Sequence, residues 1–237
     1  MRKASIGIPT LPDGSFDVER QRDLAIKFRY LLEMRERINF QISDLKEAVF
    51  TVEVEEPKRM VALSEIFDFP KTNTGITKEF CIENKGEIPV YGCSKEEGSV
   101  LGHIEKNLAR VKYYHDSLSW NRNGSVGHIF LRNGVFSTNE DHRVISVKPR
   151  FVGEIDLLFV KHILRNRIRM LGFEFTNKLG KSKMMKTEIE IPIDSAGRYD
   201  LVRQRKIALR YAALYSTKET AIQQLDDLVK CEVAVQG

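Results

Sequence analysis

Residues 8–28 read IPTLPDGSFDVERQRDLAIKF, and residues 191–211 read IPIDSAGRYDLVRQRKIALRY. The second stretch is the first displaced by 183 positions. The correspondence runs without a gap from Ile8–Leu45 to Ile191–Leu228, with thirteen of 38 positions identical. The identities are Ile8, Pro9, Gly14, Asp17, Arg20, Gln21, Arg22, Ala25, Leu31, Glu36, Gln41, Asp44 and Leu45 with their later twins. Phe16 to Tyr199 and Phe28 to Tyr211 change only in size. Two copies of one structural unit therefore bracket one intervening domain. The lead-in is copied too, since Lys3 and Ile6 match Lys186 and Ile189. On this reading the chain begins where another domain would just have ended.

In the first repeat, Pro12-Asp13-Gly14 is a turn signal and Asp17 a good N-cap. Leu24, Phe28, Leu31, Arg35, Ile38, Ile42, Leu45 and Val49 then follow at alternating spacings of four and three. That is the seam of a coiled coil, predicting a helix over Asp17–Val49, about 50 Å long at 1.5 Å per residue. The second repeat continues the seam at Ile207, Tyr211, Leu214, Lys218, Ala221, Leu225 and Leu228.

Lys218 falls where Arg35 falls, so both seams carry a cation at one place. A polar seam residue fixes register and partner choice at some cost in stability; the plain alternative is a snorkelling side chain. On the register reading, replacing both by leucine should stabilise the pair or change its association. Helices related by an internal repeat, with a domain between them, pack most simply as an antiparallel pair with approximate two-fold symmetry.

The composition, 42% hydrophobic and 30% charged in 237 residues, is that of a globular protein able to bury a good core. No apolar run approaches the roughly 20 residues needed to span a bilayer, and MRKASIGIP is not a signal peptide, so the expected location is cytoplasmic. Cys81, Cys93 and Cys231 are odd in number and lack paired spacing, which points to reduced thiols rather than disulfides or zinc. The five histidines show no ligand spacing. Charge is unevenly placed. Residues 1–56 carry 9 Lys/Arg against 11 Asp/Glu, residues 57–183 carry 21 against 14, and residues 184–237 carry 8 of each. The positive excess therefore lies on the middle domain, as in a polyanion binder between neutral arms.

The organisation expected is α+β: a helical arm over 1–50, a mixed α/β domain over 51–190, and a second arm over 191–237. Within the domain, Val61–Phe67 is a short apolar element and Ile88–Gly92 a strand. Leu118–Trp120 and Val126–Leu131 are strands across an Asn-Gly turn, and Arg143–Val147 is another strand. Asp156–Met170 is an amphipathic helix, and Lys178, Lys181 and Lys183 lie in a Gly/Ser loop before the last strand. Trp120 is expected in the core.

Catalytic signatures are missing. The chain has no Walker loop, no dinucleotide-binding turn, no Asn/Asp-Pro-Pro-aromatic motif of an amino-methyltransferase and no GxSxG elbow. Glu56-Pro57-Lys58 is only a fragment of a nuclease pattern, and Gly92 and Gly98-Ser99 make plain surface turns more readily than a phosphate cradle. The domain reads as a binder rather than a catalyst.

Three stretches in order, IPVYGCSKEEGSVLG (88–102), SWNRNGSVGHIFLRNGVFSTNEDHRVI (119–145) and NKLGKSKMMKTEIEIPI (177–193), run into DLVRQRKIALRY. Together with the flanking repeats they resemble the target recognition domains of type I restriction–modification specificity subunits. The resemblance implies a non-catalytic DNA-binding subunit in which each recognition domain reads one half of a split target. It also implies two helices that form an antiparallel coiled coil and dock methyltransferase subunits, with a restriction subunit reached through the complex. The chain itself would hold no cofactor, since S-adenosylmethionine would sit on the methyltransferase. A complete subunit of that family reads domain–helix–domain–helix, whereas this chain reads helix–domain–helix. That implies the C-terminal half of a subunit, or a half-subunit that pairs with itself or with another half.

For double-stranded DNA, Arg and Lys would neutralise phosphates while Arg, Asn and Gln on loops would read base edges. The candidates are Lys95, Arg110, Lys112, Tyr113, Asn121, Arg122, Asn123, Lys178, Lys181 and Lys183. The alternative is a coiled-coil adaptor whose middle domain binds protein.

Overall fold

The computed structural model describes residues 7–122, 128–171 and 179–231. It separates into two compact units: Val49–Ala213, and the helical segments that flank it in sequence.

The repeat is realised to the residue. Helices α1 (Val18–Glu47) and α6 (Leu201–Lys230) are each 30 residues long, and both their ends are 183 positions apart. Before each helix the chain makes the same turn, with isolated bridges pairing Thr10 with Phe16 and Ile193 with Tyr199. Gly14 and Gly197 take φ of 85° and 77° there, values that strain any residue with a Cβ, so glycine stands in both repeats. Asp17 and Asp200 then cap their helices, each accepting at 2.9 Å from the amide three residues on. The predicted lead-in residues Lys3 and Ile6 lie outside the described residues.

In the helical unit, Arg35 Nη2 donates to Cys231 O at 3.0 Å, while Lys218 Nζ donates to Lys46 O and Ala48 O at 2.8 and 2.9 Å. The middle of α1 therefore meets the end of α6, and the middle of α6 meets the end of α1, which makes the pair antiparallel. The predicted seam is corrected in part. Leu24, Leu31, Ile38, Ile42 and Leu45 are covered to varying degrees, but Phe28 is 54% exposed and Arg35 is exposed, while Met34 joins the covered side. A straight helix drifts about 20° per heptad from a strict 3.5-residue repeat. A 4-3 register therefore does not stay on one face over four heptads. In α6, Ala221 and Leu225 are half-buried, but Leu214 and Leu228 are 38% and 58% exposed. Ile207 and Tyr211 are buried within Val49–Ala213 rather than forming a seam.

The Val49–Ala213 unit is built on a six-stranded sheet in the order β2-β7-β5-β6-β3-β4. Its strands are β2 (Phe67–Asp68), β3 (Ile88–Tyr91), β4 (Gly102–Ile104), β5 (Tyr114–Asn121), β6 (Ile129–Thr138) and β7 (His142–Val147). Among the described residues only the β3–β6 pairing of this sheet is parallel. The β5–β6 ladder slips between His115 and Ser117, where Asp116 takes φ 38° and its carboxylate accepts from Gly134 N at 2.7 Å. The bulge bends the hairpin.

Beside this sheet, β1 (Lys58–Ala62) pairs antiparallel with β8 (Glu188–Pro192), the strand that leads into the second Ile-Pro turn. Val61–Phe67 is thus divided among β1, a single helical turn α2 (Leu63–Ile66) and β2. Lys78–Glu83 forms α3, capped by Thr77.

Helix α4 (Leu157–Met170) starts on Asp156, whose carboxylate accepts from Phe159 N at 2.8 Å. It buries Phe159, Val160, Leu164 and Ile168, the expected 3.6-residue stripe. The expected loop around Lys181 and Lys183 is instead a short helix, α5 (Lys181–Lys186), beginning on Gly180. Part of the predicted strand over 126–131 lies outside the described residues. Trp120 is a core residue: its Nε1 donates to Leu179 O at 3.1 Å, and its ring meets Phe69 edge-on at 6.2 Å.

Candidate nucleic-acid interface

The candidates separate by what their side chains already do. Asn121 is corrected from reader to scaffold, since it is fully buried and its Nδ2 donates to Ser94 O. Tyr113 is also structural: its hydroxyl donates to Glu105 O at 2.7 Å and accepts from Leu108 N at 3.1 Å, closing the loop before β5. Lys181 Nζ donates to Phe69 O at 2.6 Å, so its ammonium ties α5 to the chain after β2. Asn123 and Lys178 lie outside the described residues. Lys95, Arg110, Lys112, Arg122 and Lys183 are exposed.

The exposed cations are presented by a rigid floor. Arg132, which the sequence reading missed, is buried on the sheet with its guanidinium 3.5 Å from the Tyr91 ring centroid and 4.6 Å from that of Phe130. Its Nε donates to Ser119 Oγ at 3.2 Å and its Nη1 to Glu97 O. Glu97 also accepts from Leu131 N at 3.0 Å and Lys161 Nζ at 2.6 Å. With Asn121 on Ser94, these bonds pin both sides of Lys95 to the sheet, so Lys95 projects from an anchored loop.

Lys112 is held from behind by Asn73, whose Oδ1 accepts from Lys112 N at 2.7 Å. Asn73 Nδ2 donates to Lys112 O, Ser137 Oγ and Thr138 O at 2.9–3.0 Å. The backbone of Arg122 is fixed by donation to Asp141 O at 2.8 Å.

Electrostatic coupling shows which cations share a neighbourhood. His128 is held below the usual histidine range by burial and then by Arg165, Arg169 and Lys95. Burial lowers Arg143 in the same sense, with Arg122 the next cause; its Nη1 donates to Thr72 Oγ1 at 2.8 Å. Lys95, Arg165 and Arg169 thus all lie near His128, and Arg122 lies near Arg143 together with the acidic Asp141. Arg110 and Lys112 lie on the loop before β5, and Lys183 on α5. Arg143, Arg165 and Arg169 were missed, although the 165–169 run RNRIR on a helix showing its apolar stripe elsewhere was a readable signal.

Two buried histidines are neutral. His142 is pushed down to about 3 by burial and then by Arg132, and its Nε2 shares a 2.9 Å hydrogen bond with Ser119 Oγ. His162 is pushed down to about 4 by burial, then by Lys161 and Arg165, and it stacks on Tyr211 at 5.4 Å. Among the described residues no His/Cys/Asp/Glu group could hold a metal ion, and no helix is long and apolar enough to cross a membrane.

Comparison with known proteins gives one answer. A family model described as the type I restriction modification DNA specificity domain matches residues 55–227. A protein named as a type I specificity subunit in Mycoplasma pneumoniae is 29% identical over 174 residues, 73% of this chain and 43% of the relative. The MpnII type I restriction enzyme specificity subunit of the same organism is 28% identical over 116 residues, 49% of this chain and 33% of the relative. The chain spans less than half the length of either. Among solved structures, a chain of a type I restriction–modification system covers 94% of this one at TM-score 0.62 and 15% identity, with 58% of that chain covered. The HsdS subunit of Thermoanaerobacter tengcongensis covers 90% at TM-score 0.53 and 13% identity, with 53% of that chain covered.

Proposed function

Because the chain belongs to the type I restriction modification DNA specificity family, we propose that it is a non-catalytic specificity subunit, or half of one, that reads one half of a bipartite DNA target. The observation that carries this is the anchoring beneath its exposed cations. Lys95, Lys112 and Arg122 stand on backbone fixed by Asn121 and Arg132, by Asn73, and by Asp141. A flexible basic surface binds any polyanion; cations fixed against a packed sheet can be matched to one arrangement of phosphates and base edges.

The antiparallel helices are the docking element for methyltransferase subunits, and S-adenosylmethionine chemistry belongs to those subunits, not to this chain. The second half-site is read by another half-subunit or a second copy.

Equilibrium binding to a mixed-sequence duplex across about 50–300 mM salt tests the polyanion component. The proposal expects log affinity to fall steeply and linearly with log salt. A slope near zero would favour a protein-binding adaptor.

A further inference from the structure

Helix α4 carries a row of cations beside its apolar stripe. Lys161, Arg165 and Arg169 are spaced four apart, so they lie one above the other along one flank, and each is half-buried. The first is neutralised, since Lys161 Nζ meets Glu97 Oε1 at 2.6 Å. The last is not satisfied in the same way. Arg169 Nη1 is buried and has no hydrogen-bond partner among the described residues. A buried guanidinium N–H without an acceptor costs the desolvation of a charged group, a cost that an arriving anion removes.

Helix α4 packs on β6, and His128 immediately precedes that strand. The His128 ring stacks on Phe130, with planes 16° apart and centroids 6.1 Å apart. Phe130 is itself buried against the Arg132 guanidinium and the His142 ring. His128 is therefore fixed to the sheet, yet it remains half-exposed. After burial, what holds it below the usual histidine range is Arg165, Arg169 and Lys95, and among the described residues no carboxylate acts against them. The preceding stretch 123–127, NGSVG, contains no ionisable side chain. Two arginines from α4 and a lysine from an anchored loop thus act on one fixed imidazole.

We propose that Lys95, Arg165, Arg169 and His128 form one phosphate seat, and that His128 takes up a proton when a phosphate group fills it. On the DNA reading, on which the choice of occupant rests, that group is a backbone phosphodiester. Arg169 Nη1 gains its acceptor in a phosphate oxygen, while Arg165 and Lys95 supply charge. The bound anion offsets the three cations around the ring, and the imidazolium becomes the fourth cation of the seat. The sign follows from proton linkage. The filled seat binds more protons than the empty one, so affinity rises as pH falls from the His128 midpoint of the filled seat towards the lower midpoint of the empty one. Above and below that window it is flat. Contacts made by lysine and arginine alone bring salt dependence without proton uptake near neutral pH.

Histidine ring resonances of the full chain, followed by NMR from about pH 5 to 8, test it alone, with inorganic pyrophosphate and with a mixed-sequence duplex. The expected result is a higher His128 midpoint with duplex, removed by Arg169→Gln and reduced by Lys95→Gln. Lys95 is exposed, so the second variant keeps its fold. Duplex affinity at fixed salt should increase at least about threefold from pH ~8 to pH ~6. His128→Gln should abolish that increase, while His115→Gln at an exposed position leaves it. A duplex that binds with the His128 midpoint and the pH profile unmoved would overturn the seat and leave the DNA reading standing. If no duplex binds, pyrophosphate decides: a saturable rise in the midpoint supports the seat with the DNA reading lost, and no rise overturns the seat as well.

Discussion

Arg35 and Lys218 stand 183 positions apart and cap each other's helices. Arg35 donates to the carbonyl of Cys231 and Lys218 to that of Ala48, and Ala48 and Cys231 are themselves 183 apart. Each acceptor is the residue just past the last turn of its helix, where carbonyls lack intrahelical donors. A cation there is favoured by the helix dipole as well as by the hydrogen bond.

The caps reverse the effect expected from a seam cation. Lys218 is 8% exposed, and replacing it with Met or Leu leaves the carbonyls of Lys46 and Ala48 without their donor. The expected loss is about 1–3 kcal/mol in urea unfolding. Arg35→Met should cost under about 1 kcal/mol, because Arg35 is exposed. A stability gain from Lys218→Leu would show that the amine fills space without capping.

Acid should destabilise the fold before its carboxylates titrate. His142 and His162 are held at about 3 and about 4 in the folded chain, against about 6.5 when unfolded. Below pH ~6.5 the unfolded chain binds protons that the folded chain refuses. This stability is fully present above pH ~6.5 and is lost as pH falls through about 4 and then about 3. The slope is up to about 1.4 kcal/mol per pH unit for each histidine. Urea midpoints between pH 7 and pH 4.5 should fall accordingly, and His142→Gln should remove part of the slope. A flat profile would contradict both assignments.

Asn73 ties three backbone segments with one buried amide, and Asn73→Ala strands the N–H of Lys112 and takes one donor each from the carbonyls of Thr138 and Lys112, the latter keeping Ser137 Oγ at 2.9 Å. The expected cost is roughly 3 kcal/mol, at the upper end for single buried polar losses. Circular dichroism melts read it directly. A loss within ~0.5 kcal/mol would mean that water replaces the amide.

Contact and scaffold residues should separate in binding. Lys95→Ala and Arg122→Ala should each reduce the salt slope by about one unit at unchanged fold stability. Asn121→Ala should lower stability and loosen the loop at Ser94, moving the slope little. The reverse pattern would return Asn121 to the interface and remove the two cations from it.

Much of the fold was legible because it rests on local signals. The Asp caps, the glycine turn and the α4 stripe are each set by residues close in sequence. The seam was read less well. Periodicity shows which positions are apolar, but it cannot show that one helix faces a domain over its first turns and another helix over its last. Lys218 and Arg35 were singled out by the repeat, yet their acceptors are main-chain atoms that no side-chain pattern reveals. The same limit governs the candidate interface. Asn121 and Arg122 are adjacent in a turn-like sequence, but Asn121 ends β5, where every residue from Ser117 on is buried, whereas Arg122 lies just past the strand and is exposed. Arg132 looks like a surface cation until the Tyr91 and Phe130 rings are placed beside it.

The most direct test of the proposed function is selection from a pool of randomised duplex DNA, using the chain alone and together with a type I methyltransferase subunit. The account predicts recovery of a defined base motif, weakened at specific positions by Arg122→Ala. Recovery of random sequence by a complex that is folded and assembled would contradict it.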